Sequence, residues 1–171
     1  MTTKKLVTVA MLTAFDVVFT NLLAVNTSVF KIGIGFAAVA VCAMLYGPGW
    51  AALCAALGDL AGALLFPTGA YFPGFTVTAA LTGLIFGLFL YKDRPGFIRC
   101  LLAAVINCFV VTLVLNSLLI AYISGAKLLP LLELRAVEFL VMSAVETALI
   151  SALSLTEPVY KIISENSSKK H

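Results

Sequence analysis

"GWAALCAALGDLAGALLFPTGAYFPGFTVTAALTGLIFGLFLY" runs from Gly49 to Tyr91 with one charged side chain, Asp59. A helix that crosses a hydrocarbon core of about 30 Å needs roughly 20 predominantly apolar residues. Two runs of about that length lie here, Gly49–Phe66 and Phe75–Tyr91. Between them Pro67, Gly69, Pro73 and Gly74 interrupt the helical pattern, and Phe66, Tyr71, Phe72 and Phe75 crowd the same stretch. The pattern predicts a helical hairpin in lipid with a stiff, aromatic connection. Such a connection can cap a cavity and stack on a planar ligand. The bland alternative is an interfacial aromatic belt.

The same arithmetic extends outward to Leu6–Val25, Ile32–Tyr46, Phe97–Ser124 and Leu128–Leu155. Breaks fall at Asn26-Thr27-Ser28, Gly47-Pro48-Gly49, Lys92 to Gly96 and Gly125-Ala126-Lys127, with Gly and Pro as the usual punctuation. Composition agrees: of 171 residues, 62% are hydrophobic and 11% charged, and the mean hydropathy is +1.11. A soluble domain of this length needs far more charge to cover its surface. The expected fold is an all-α integral membrane protein, a bundle of six transmembrane helices. Residues 1–171 form one transmembrane domain, with short tails at 1–5 and 157–171. The first run follows Lys4 and Lys5 as a signal peptide would, but Asp16 and Asn21 interrupt it, so it reads as a retained helix.

Lys4, Lys5, Lys92, Arg94, Arg99, Lys161, Lys169 and Lys170 fall on one side of this layout, and Lys31 and Lys127 on the other. The positive-inside rule then places both termini in the cytoplasm and the Pro67–Gly74 connection outside. A net charge of +3 gives no reason to expect nucleic acid. The one histidine, His171, ends the chain, and the four cysteines form no CxxC, so no metal site is expected. There is no GxxxxGK[ST] loop, HExxH or GxSxG, which argues against an enzyme. The two halves of the chain show no convincing internal repeat, which weighs against an inverted-repeat transporter.

Polar groups inside apolar helices are expensive and point inward, toward partners or water. Asp16 and Asp59 are the first candidates for binding a ligand. Ala10 and Ala14 form a small-xxx-small pattern for close helix approach, roughly 140° around the helix from Asp16 at 100° per residue. Thr13 and Thr20 share the Asp16 face. The last helix carries "ELRAVEFLVMSAVE", Glu133 to Glu146. There Arg135 either pairs with Glu138 or binds an anionic ligand group, which its fork matches. Glu146 reads as structural. Asn116 and Thr112 lie four apart on the fifth helix, toward the outside, and Asn107 lies nearer the cytoplasm. A proton relay of Asp16, Asp59 and Glu146 in an autonomous transporter is the competing reading, and an assembly subunit without a ligand is a third.

With "AMLTA" at Ala10–Ala14 and "AMLYGPGWAALCAALGDLAGALLFPTGAYFPGFTVTAALTGLIFGLFLY" at Ala43–Tyr91, the chain resembles the substrate-binding S components of energy-coupling factor (ECF) vitamin transporters. The longer block is the more specific and is most similar to the folate group. The resemblance implies a subunit of a prokaryotic cell membrane that binds a vitamin from outside and has no enzymatic activity or cofactor. It implies docking through Ala10 and Ala14 onto a membrane coupling subunit driven by two ATPases. It also implies that the outward connections roof the vitamin site. The expected ligand-binding set is Asp16, Lys31, Asp59, Tyr71, Phe72, Phe75, Asn116, Lys127 and Arg135. Folate needs cationic partners for its glutamate tail, and Lys31, Lys127 and Arg135 are those on the outer side. A smaller heteroaromatic vitamin stands as the alternative ligand.

Overall fold

The computed structural model describes residues 3–21, 25–26, 31–66, 72–91, 95–125 and 128–155. The described residues form six helices. They are α1 (Thr3–Asn21), α2 (Phe36–Tyr46), α3 (Pro48–Leu65), α4 (Pro73–Leu90), α5 and α6 (Leu128–Leu155). α5 opens as an α-helix over Phe97–Asn107, widens to a π-helix over Cys108–Leu115 and returns to α over Asn116–Ser124. In the wide stretch the Asn116 N–H reaches back five residues to the Val111 carbonyl. Among the described residues the one extended pairing is a two-residue antiparallel ladder between α1 and α2, with β1 (Val25–Asn26) and β2 (Lys31–Ile32) in the register Val25↔Ile32 and Asn26↔Lys31.

α3, α4, α5 and the Arg135–Leu155 part of α6 are long and apolar enough to cross a membrane. α1 has the length but carries Lys4, Lys5 and Asp16. α2 has 11 residues, about 16 Å at 1.5 Å per residue, too short to span alone. It is enclosed by its neighbours instead, with Ala40, Cys42 and Ala43 fully buried. The outside of the bundle is apolar: Leu64, Leu88, Ile98 and Leu140 are all about two-thirds exposed or more. That surface suits lipid, where the backbone's polar groups are satisfied within helices.

Helix ends follow local chemistry. Pro48 and Pro73 open α3 and α4, at positions where the missing N–H has no partner to lose. Pro73 and Gly74, expected in the aromatic connection, are therefore the first turn of α4. Gly47 turns α2 into α3 at φ +88°, and Gly125 ends α5 at φ +63°, a region that favours glycine. The first two helices differ most from expectation. α1 spans Thr3–Asn21, and Val25, expected as its end, belongs to β1; α2 starts at Phe36 rather than Ile32, which belongs to β2. At Gly35 a side chain would run into Thr20 and Asp16, so α2 enters directly against α1.

Buried side chains pack in two clusters. Toward the chain termini, Ala40, Ala43 and Met44 of α2 meet Ala51 and Ala55 of α3, Phe86 and Leu90 of α4, Cys100 and Ala103 of α5 and Ile150 of α6. Val9, Cys42 and Cys54 form a second cluster where α1 meets α2 and α3. α3 and α4 approach most closely: a Cβ on Gly83 would meet the Ala51 backbone, and one on Gly87 would meet Pro48. The four cysteines, expected as packing residues, are free and buried; Cys42, Cys54 and Cys100 belong to these clusters, and Cys108 bonds Glu146. Toward the other ends of α1, α3 and α4 the bundle holds a cavity.

Candidate functional site

The cavity has a volume of about 250 Å³. All six helices reach it. α1 contributes Thr20, and Gly33 and Gly35 lie just before α2, which adds Phe36. α3 presents Asp59, and α4 presents Phe75, Thr78, Ala79 and Thr82. α5 lends Asn107, Val111, Thr112 and Asn116, and α6 lends Met142 and Glu146. Residues 107, 111, 112 and 116 share one side of α5 because they straddle its π-helical stretch. Such stretches are rare and often mark functional sites.

Polar contacts set the character of the wall. The Thr76 hydroxyl donates to Asp59 Oδ2 at 2.7 Å, tying α4 to α3. Thr20 donates to Asp16 Oδ1 at 3.1 Å, Thr78 to the Phe75 carbonyl at 2.8 Å and Thr82 to the Thr78 carbonyl at 3.2 Å. Each of these hydroxyls has its proton committed away and keeps oxygen lone pairs. Deeper, Asn107 Nδ2 donates to both Glu146 oxygens, at 3.1 and 3.2 Å. The Oδ1 atoms of Asn107 and Asn116 are buried and have no hydrogen-bond partner among the described residues. Among the described lining residues the ionisable groups are Asp59 and Glu146, both carboxylates. The cavity is therefore rich in hydrogen-bond acceptors.

Of the residues expected to bind ligand, Asp59, Phe75 and Asn116 line the cavity. Phe72 stands next to it, edge-on to Phe75 with ring centroids 6.5 Å apart, and 6.4 Å from Tyr122 of α5. Asp16 is buried but faces a helix contact: a Cβ on Gly58 of α3 would strike its carboxylate. Arg135 is buried and is not among the lining residues. Its Nη1 donates to the Thr112 carbonyl at 3.3 Å and lies 3.5 Å from Glu138 Oε2, which realises the ion pair read from the sequence. Lys31 belongs to β2. Tyr71 and Lys127 lie outside the described residues, as does most of the expected lid. Ala10 and Ala14 are exposed on α1, so neither packs within the bundle.

Glu146, read from the sequence as structural, and Asn107, read as nearer the cytoplasm, both line the cavity. Thr78 and Thr82 were overlooked. Their spacing of four on an otherwise apolar helix was the available signal.

Comparison with known proteins bears directly on this geometry. Residues 4–160 match the family described as ECF transporter, substrate-specific component. The folate transporter FolT of Clostridium novyi (strain NT) is 34% identical over 141 residues, covering 82% of this chain and 82% of that protein. The folate transporter FolT of Leuconostoc mesenteroides subsp. mesenteroides is 35% identical over 117 residues, covering 68% of this chain and 63% of that protein. A crystal structure of FolT bound with folic acid superposes with a TM-score of 0.85 at 30% identity, over 90% of this chain and 93% of that one.

Proposed function

The chain belongs to the family of substrate-specific components of ECF transporters, and from that premise we propose that it binds a folate-type vitamin with high affinity and passes it across the membrane. The observation that carries this reading is the acceptor-lined cavity inside a six-helix bundle, in a chain similar to a FolT structure that holds folic acid. The protein is a multi-pass membrane transporter component rather than an enzyme. It sits in a prokaryotic cell membrane with both ends in the cytoplasm and the cavity outward. A membrane coupling subunit and two ATPases supply the energy for release inside.

Asp59 and Asn116 accept hydrogen bonds from donors of the vitamin, and Phe75 and Phe72 stack against its flat face. Tyr71 and its neighbours close over the mouth. Lys31 and Lys127 belong to the outer connections, where they meet the carboxylates of a glutamate tail. Arg135 and Asp16 support the site from behind, through α5 and α3.

Titration of the purified full-length chain with folic acid tests the proposal. Saturable binding at sub-micromolar Kd is expected. Failure to bind folic acid at tens of micromolar, by a protein that melts cooperatively, overturns the assignment of the vitamin.

A further inference from the structure

We infer that Glu146 and Asn107 form the specificity-determining end of the cavity and take the N–H edge of a heterocycle, an amino group beside a ring N–H. This rests on the folate reading, since the bicyclic head of folic acid carries such an edge.

Both residues are almost fully enclosed, Glu146 at 3% and Asn107 at 4% exposure, yet both line the cavity. Asn107 is ten residues into α5, about 15 Å from its start at 1.5 Å per residue, so the pair lies deep in the bundle. Asn107 Nδ2 bonds both carboxylate oxygens at nearly equal length. That double contact fixes the carboxylate with Nδ2 between its two oxygens, and the Cys108 thiol bonds it as well, so what it offers the cavity is an outer lone pair. An amino group and the ring N–H beside it can then land side by side, one on that lone pair and one on the neighbouring Asn107 Oδ1.

The second observation is the orphan oxygen. Asn107 Oδ1 is buried without a hydrogen-bond partner among the described residues, although buried polar atoms are nearly always satisfied. On a cavity wall, such an atom marks where a ligand donor lands. Asn116 Oδ1, on the same side of α5, is a second orphan. The described lining adds threonine oxygens whose protons are already committed. A ligand that fills this end must therefore bring donors. An anion finds no cation among the described lining residues, whose ionisable side chains are the acids Asp59 and Glu146. The carboxylates of a folate thus lie toward the mouth and its amino-substituted ring toward Glu146.

A ligand-side change paired with a protein-side change separates this contact from a mere pin between α5 and α6. The full-length protein is titrated with folic acid and with its 2-desamino analogue. Wild type should hold folic acid at least about tenfold tighter, because a site built for N–H groups rejects the analogue that lacks one. Glu146→Gln keeps an oxygen for Asn107 but turns a donor toward the ligand. It should weaken folic acid by about tenfold or more and the desamino analogue by less than about threefold. Equal wild-type affinity for the two ligands overturns the inference. So does an equal loss of both on Glu146→Gln, which would leave the pair as a pin. Should that variant fail to fold, Asn107→Ala, which retains the carboxylate, is read against the same two ligands with the same expectation. A wild type that binds neither ligand while melting cooperatively removes the folate reading itself.

Discussion

Gly58 and Asp59 are neighbours on α3 with opposite duties. Asp59 lines the cavity and accepts from Thr76. Gly58 lets α1 close in, since a Cβ there would strike the Asp16 carboxylate. Gly58→Ala should therefore separate α1 from α3 and destabilise the fold by about 1–3 kcal/mol, the usual penalty for forcing a methyl into a packed contact. Thermal unfolding in detergent measures this, and an unchanged midpoint would show that the contact yields freely. Asp16 and Asp59 were legible in the sequence as two carboxylates that must face inward. Their different roles were not, because spacing along one helix fixes relative directions on that helix and says nothing of which neighbour each direction meets. Glu146 is limited in the same way: its depth in α6 is legible in the sequence, but not that Asn107 bonds it directly on the cavity wall.

Elements bounded by strong local signals were read closely. α3 and α4 begin and end within two residues of the expected positions, since Gly47, Pro48 and Pro73 act through backbone geometry that needs no tertiary context. The end of α1 and the start of α2 adjoin the β1–β2 ladder, a pairing between separate segments, and differ from expectation, while the end of α2 at Tyr46 agrees with it. The π-helical stretch of α5 was invisible too. Its sequence, CFVVTLVL, is uniformly apolar and equally compatible with ordinary α-helix. Arg135 connects this stretch to α6 by bonding the Thr112 carbonyl while paired with Glu138. Losing one member of a buried ion pair typically costs about 3–5 kcal/mol. Arg135→Ala should accordingly lower the unfolding midpoint clearly in ligand-free protein, and Arg135→Ala/Glu138→Ala should recover part of the loss. Weaker vitamin binding at an unaltered midpoint would instead place the guanidinium on the ligand.

At the scale of the whole molecule, the packed clusters and the cavity occupy different parts of one bundle. α1 lies at the edge, packing on α2 and α3. It buries Val9, Asp16 and Val17 and leaves Leu6, Val7, Met11, Phe15 and Val18 exposed together with Ala10 and Ala14. The buried Asp16 holds the inner face through Thr20 and the Gly58 contact, so the outer face can change without disturbing the cavity. Small residues on a lipid-facing helix gain nothing from lipid that larger ones would not, but they let another helix approach closely. Docking of the coupling subunit is therefore expected here. Ala10→Trp or Ala14→Trp would force that approach apart and weaken assembly by about 1–3 kcal/mol, roughly five- to a hundredfold in affinity. Folic acid titration of the isolated variants should match wild type, because neither residue lines the cavity. Capture of the coupling subunit by tagged wild-type and variant chains, at equal protein and lipid, reads out the assembly term. Undiminished capture by both variants would move the docking surface to another face of the bundle, and reduced capture together with reduced folic acid binding would mean that α1 communicates with the cavity rather than standing apart from it.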